Sequence, residues 1–139
     1  MLVQRFAMIA GIVYIAVGVL GFVPALLTPD TATPLILEGM HGRLFGLFPV
    51  NWVHNLVHLA IGIWGITAAR GFNNSVSYSR GLAVIYAIFA VMGLFPVLNT
   101  VFGLVPLHSH DIWLHALTAG IAAYMGWGAP ARVHRAAHI

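Results

Sequence analysis

Two stretches of this chain, residues 45–58 (FGLFPVNWVHNLVH) and residues 102–115 (FGLVPLHSHDIWLH), align with each other without a gap. Each stretch begins with Phe-Gly-Leu, has a proline at its fifth position and ends with a histidine. In this alignment His58 lies opposite His115, and the histidine four residues earlier lies opposite an aspartate. The stretches therefore predict that the chain contains two copies of one structural unit.

The segments that precede these stretches align at a second constant offset. Residues 14–28 match residues 86–100 at a tyrosine, a glycine, a proline, a leucine and a threonine. The offset changes because the loop at about residues 28–44 is almost absent from the second half. We therefore expect two tandem helical hairpins, about residues 1–70 and 78–129, related by a pseudo-two-fold axis along the membrane normal.

The composition predicts an integral membrane protein. Of the 139 residues, 60% are apolar and only 6% are charged, whereas soluble domains carry roughly 25% charged residues. The mean hydropathy is +0.94. The absence of cysteine excludes disulfides and thiolate ligands, and six basic residues are too few for a nucleic-acid surface. We expect one transmembrane domain over residues 1–139.

Four apolar segments are long enough to cross about 30 Å of hydrocarbon, which takes roughly 20 helical residues. Helices are expected because an open sheet edge leaves backbone groups without partners in lipid. The fold class is therefore an all-α membrane protein with four transmembrane helices. The predicted spans are about residues 6–27, 51–69, 81–98 and 111–127.

The placement of arginines predicts the orientation of the bundle. Five of the six arginines lie at segment ends or in loops on one side, and only Arg43 lies on the other. By the positive-inside rule, both termini then face the cytoplasm. The five are Arg5, Arg70, Arg80, Arg132 and Arg135.

Two pairs of ionisable residues form the candidate site. His54 and His58 are four residues apart in the second segment. The fourth segment repeats this spacing with Asp111 and His115. Side chains at this spacing lie on one face of a helix, and small residues such as Gly62 continue that face and permit close helix contact. We expect the second and fourth helices to meet there, so that the four side chains converge near the outer face.

Three imidazoles and one carboxylate, without sulfur, suit a transition metal ion. Zinc is the first choice, followed by iron or manganese. Ionisable residues are costly inside a membrane and usually have a function there. Neighbouring polar side chains are expected to orient the metal ligands; these are Asn51, Asn55 and His108.

Two other interpretations remain open. A haem-binding electron-transfer protein would use one imidazole from each of two facing helices, and His58 and His115 form the symmetric pair. Alternatively, the polar cluster only joins helices by hydrogen bonds, which average about 0.6 kcal/mol in membrane proteins. The chain would then be a structural subunit of a larger membrane complex. Four short helices make a poor channel alone, which favours a homo-oligomer or such a complex, and no catalytic residue is identified.

The first histidine block resembles a known family. Residues 44–51, followed by His54, Asn55 and His58, are similar to small bacterial four-helix membrane proteins described only as a domain of unknown function. The later block with Asp111 is similar to the second block of that family. The resemblance implies a multi-pass protein of the bacterial inner membrane. It implies no activity.

Overall fold

The computed structural model describes residues 1–31 and 34–136, and for 133–136 it describes the backbone alone. The side chain of Arg135, which was used to predict the orientation, therefore lies outside the described part. The described residues are mostly helical, and a π-helical turn at Tyr124–Gly128 joins the last two helices. The helices are α1 Leu2–Leu20, α2 Trp52–Ala68, α3 Phe72–Gly93, α4 His110–Ala123 and α5 Ala129–Ala136.

Two of the helices, α1 and α3, are long and apolar enough to cross a membrane. On α1, the side chains of Ile9 and Val13 are 62% and 52% exposed. Such exposure of large apolar side chains on a long helix is typical of a surface that faces lipid. Helix length and composition thus support a membrane location.

The bounds of α1 and α3 differ from the predicted spans. Helix α1 ends at Leu20, because Pro24 cannot continue a helical hydrogen-bond ladder and starts a short 3-10 turn instead. Helix α3 begins at Phe72, well before Arg80. Its first turns are polar, and their buried serine hydroxyls have partners within the helix, as when Ser75 Oγ donates to the Gly71 carbonyl at 2.9 Å. An apolar run marks the lipid-facing part of a helix and not its full length.

A small antiparallel sheet covers one end of the helices. Its strands are β1 Leu27–Thr28, β2 Gly42–Leu44 and β3 Phe48–Val50, in the order β1-β2-β3. The prediction of an all-α chain is therefore incomplete. Strands of two or three residues are too short to show the alternation by which a strand is recognised in a sequence. We call this end of the molecule the sheet end.

Helix α1 packs closely on α2 through facing glycines. A Cβ atom on Gly62 would lie 2.8 Å from the Gly11 carbonyl oxygen and 2.6 Å from a side-chain carbon of Ile15. A Cβ on Gly65 would lie 2.9 Å from the Ala7 carbonyl oxygen. The expectation that Gly62 faces the fourth helix is wrong, since it packs against α1. Helical spacing identifies a small-residue face but not the helix that covers it.

Replacing Gly62 by alanine should destabilise the protein by about 1–3 kcal/mol, the usual cost of overpacking a close contact. Gly120→Ala is the matched control, because a Cβ at Gly120 meets no atom within 4 Å. Thermal unfolding in detergent measures both variants. Equal melting temperatures for the two variants would contradict the close α1–α2 contact.

Candidate functional site

Asn51 fixes the start of α2 and thereby the position of His54. The Oδ1 atom of Asn51 accepts a hydrogen bond from the His54 backbone N–H at 2.9 Å. Its Nδ2 atom donates to the carbonyls of Leu37, at 3.0 Å, and Leu104, at 2.7 Å. Asn51 is fully buried. One side chain therefore caps the helix and joins it to loops from both halves of the chain.

The first turns of α4 carry the other pair of candidate residues. Asp111 lies in the first turn of α4, where the positive end of the helix dipole stabilises a carboxylate. His115 follows one turn later. Asp111 and His115 are each 3% exposed, and His54 and His58 are 4% and 8% exposed. All four side chains are thus removed from solvent.

Three of these four side chains come together as a possible metal-ligand set. His54, Asp111 and His115 each offer one ligand atom, and these atoms lie within 4.8 Å of one another. Metal–ligand bonds of about 2.0–2.2 Å hold donor atoms roughly 3–4 Å apart. Small side-chain rotations would therefore close the set around one ion.

His58 lies beside this triad rather than in it. Its ring centroid is 4.4 Å from that of His54. The ring centroid of Tyr14, on α1, lies 5.5 Å from that of His58. On the other side, Tyr86 of α3 lies 4.9 Å from the His115 ring. The Tyr14 and Tyr86 rings also lie against each other, with their centroids 5.6 Å apart.

Sequence reasoning did not identify the two tyrosines as part of the site. Tyr14 and Tyr86 had been matched with each other in the alignment of the two halves, and that match was the available signal. Inside apolar segments, an aromatic residue alone is indistinguishable from a packing residue.

Several buried polar atoms of the cluster lack a hydrogen-bond partner among the described residues. They are the Nδ1 atoms of His54, His58 and His115 and the Oδ2 atom of Asp111. Buried polar atoms are nearly always paired in folded proteins, and leaving one unpaired costs about 1–3 kcal/mol. This set of donor and acceptor atoms is therefore suited to a ligand or an ion.

The other residues predicted to orient the ligands lie in three different environments. Asn51 supports His54, as described above. Asn55 is fully buried at the contact between α1 and α2, where it packs against Gly21. His108 lies at the sheet end, with its Nε2 atom 3.5 Å from Asp30 Oδ2. Burial lowers the pKa of His108, although the Asp30 carboxylate opposes that shift.

The chain belongs to the family described as a domain of unknown function (DUF4383), which matches residues 4–128. The matched region includes α2, α3 and α4 and nearly all of α1. This result agrees with the resemblance noted from the histidine block. No curated protein and no solved structure shows a significant match to the chain.

Replacing Asn51 by alanine should lower stability by about 2–4 kcal/mol, because a helix cap is lost and two buried carbonyls lose their donor. Asn73→Ala is the control, since Asn73 is exposed in the first turn of α3. Thermal unfolding in detergent compares the variants. An Asn51→Ala protein as stable as Asn73→Ala would show that this side chain does not hold the loops over the site.

Proposed function

We propose that this protein is an integral membrane protein that binds a transition metal ion through His54, Asp111 and His115. The proposal depends on one observation. Three buried side chains from the starts of two helices bring ligand atoms within 4.8 Å of one another, and the buried Nδ1 and Oδ2 atoms among them have no protein partner in the described part of the chain.

Two imidazoles and a carboxylate form a common metal-binding set. Catalytic zinc sites use three protein ligands and keep one position open, and non-haem ferrous iron uses two histidines and one carboxylate. Zinc remains the first choice, followed by iron and manganese. His58 packs against His54 outside this set of three and is the candidate for a fourth ligand. The Pro49 backbone lies close to the His54 imidazole, and a backbone carbonyl is a usual support for a metal-binding histidine.

We further propose that α2 and α4 also cross the bilayer, which gives four transmembrane helices. Helix α2 has 17 residues, or about 25 Å at 1.5 Å per residue, close to the hydrocarbon thickness of about 30 Å. Helix α4 has 14 residues and continues through the π-helical turn. In this arrangement of a bacterial inner-membrane protein, the termini and Arg70 are cytoplasmic and the sheet end is periplasmic.

Matching local structures support the duplication of a helical hairpin. Phe45 and Gly46 have positive φ angles of 54° and 74°, and their counterparts Phe102 and Gly103 have angles of 58° and 85°. Such angles are uncommon outside glycine, so their recurrence in two adjacent residues is a specific signal. The close contact of Gly21 with Asn55 likewise corresponds to the contact of Gly93 with Ile112.

The cavities on either side of the histidines give independent support for the duplication. One cavity, of about 320 Å³, is lined by Tyr14, Val17 and Leu114. A second, of about 200 Å³, is lined by the counterparts Tyr86, Phe89 and Val57. His54, His58 and His115 line both cavities. This placement is expected if a pseudo-two-fold axis passes through the histidine cluster.

The haem alternative receives less support than the metal ion. Its ligands would be His58 and His115, but the ring of Tyr14 lies against the first and that of Tyr86 against the second. The two tyrosine rings also contact each other, with centroids 5.6 Å apart. A porphyrin between the histidines would have to displace both rings. The structural-subunit and homo-oligomer interpretations stay predictions from the sequence.

Elemental analysis of the detergent-purified protein should find close to one equivalent of zinc, iron or manganese. His115→Ala and Asp111→Asn should lose this metal, because each removes one of three ligands. His110→Ala is the control, since His110 is exposed in the same helix and bonds with Trp113. Complete loss of the metal in His58→Ala would identify His58 as a fourth ligand.

Circular dichroism confirms that each variant is folded before its metal content is compared. Metal bound equally by the wild type and a folded His115→Ala variant would refute the site. Protein that stays free of metal after expression with added zinc, iron and manganese would favour the structural interpretation. A Soret absorption band in the same sample would favour haem.

A further inference from the structure

The larger cavity next to the histidines lies between α1 and α4. Its volume is about 320 Å³, at the small end of the range for pockets that bind small molecules. Apolar side chains form most of the wall, as in most such pockets. From the two helices these include Ile9, Val13, Val17, Leu114 and Ile121. We call this cavity the lateral cleft.

The mouth of the lateral cleft lies on the side of the helix bundle. Ile9 and Val13 on one rim are 62% and 52% exposed, and Ile121 on the other rim is 45% exposed. At the sheet end the cleft is lined by Leu44 and Val50, which are only 2% and 1% exposed. The sheet thus closes most of that end, although Phe45, which also lines the cleft there, is 58% exposed. In the proposed membrane placement, the rim formed by Ile9, Val13 and Ile121 faces lipid.

The inner end of the cleft is polar and aromatic. His54, His58, Asp111 and His115 line it together with Tyr14. Three imidazole Nδ1 atoms and one carboxylate oxygen there have no partner among the described residues. A ligand that fills the cleft therefore meets hydrogen-bonding or metal-bound groups at one end and apolar groups along the rest.

We propose that the lateral cleft binds a lipid-soluble molecule with a planar, oxygen-bearing head and an apolar tail, which is the chemistry of a quinone. The head lies against the histidines and Tyr14, and the tail leaves between α1 and α4. A planar head fits because the rings of Tyr14 and Tyr86 line the cleft beside the histidines. A neutral head fits because the end of the cleft is buried, and burying a charged group without a partner is costly.

This inference rests on the proposed membrane placement but does not require the metal ion. Carbonyl oxygens of the head can accept hydrogen bonds from a protonated imidazole nitrogen or from the Tyr14 hydroxyl, and they can also coordinate a bound metal. The smaller cavity is not the proposed site. The larger side chain of Phe89 lines it at the position where Val17 lines the lateral cleft, and its volume is smaller.

Two tryptophan substitutions on α1 test the cleft. Val13 and Ile12 are almost equally exposed, at 52% and 54%, but only Val13 lines the cleft. The probe is a photoreactive azido-benzoquinone with one decyl tail, applied to protein in lipid nanodiscs, and labelled peptides are mapped by mass spectrometry. We expect saturable labelling of α1 and α4 in the wild type and in Ile12→Trp. Val13→Trp should weaken binding of the probe roughly tenfold or more, which corresponds to a loss of about 1.4 kcal/mol in binding free energy.

Equal labelling of Val13→Trp and Ile12→Trp would overturn the inference. So would wild-type labelling that excess unlabelled decyl-benzoquinone does not reduce. Metal content measured on the same samples separates this result from the proposed function. Saturable labelling of a wild type that contains no metal would refute the proposed metal site and support the lateral cleft. Bound metal together with non-saturable labelling would support the metal site and refute the lateral cleft.

Discussion

The burial of four ionisable side chains in an almost uncharged helix bundle is the constraint on which this structure depends. A charged side chain near the centre of a membrane costs about 2.5–3.5 kcal/mol on insertion scales. The chain limits this cost by placing His54 and Asp111 in the first turns of their helices, close to the sheet end. It also brings them close enough to share one ligand. A bound cation would balance the carboxylate and supply partners for the imidazole nitrogens at the same time.

The loops at the sheet end complete the enclosure of the site. Asn51 bonds to carbonyls of Leu37 and Leu104, and the Ile36 backbone N–H donates to the Gly103 carbonyl at 2.8 Å. The long loop of the first half is therefore held against the short loop of the second. This arrangement covers the histidines at the sheet end but leaves the side between α1 and α4 open. In the proposed membrane placement, a ligand would therefore reach the cluster from the side of the bundle and not from the sheet end.

The sequence predicted a membrane protein, which the two long apolar helices α1 and α3 support, and it predicted which residues share a helix face. Alignment of the two halves also predicted that His54 lies near Asp111 and His115, and these three side chains do bring ligand atoms within 4.8 Å of one another. Helix ends were predicted less well, since the apolar run begins after Arg80 while α3 begins at Phe72. The partner of Gly62 could not be predicted, because helical periodicity describes one helix and contains no information about its neighbour. The sheet was missed because its strands are too short to show a pattern.

The main chemical difference between the two aligned pairs explains why the cluster suits a cation. A pair of identical hairpins would place four imidazoles around the axis, and four neutral ligands provide no negative charge. With Asp111 opposite His54, the cluster gains one carboxylate and can offset part of the charge of a divalent ion. That carboxylate lies in the first turn of α4, where the helix dipole stabilises negative charge. A group that only joined helices by hydrogen bonds would need no such charge, since serine or asparagine would serve at lower desolvation cost. The acidic residue at this buried position is therefore an argument for the proposed metal ion and against the structural alternative.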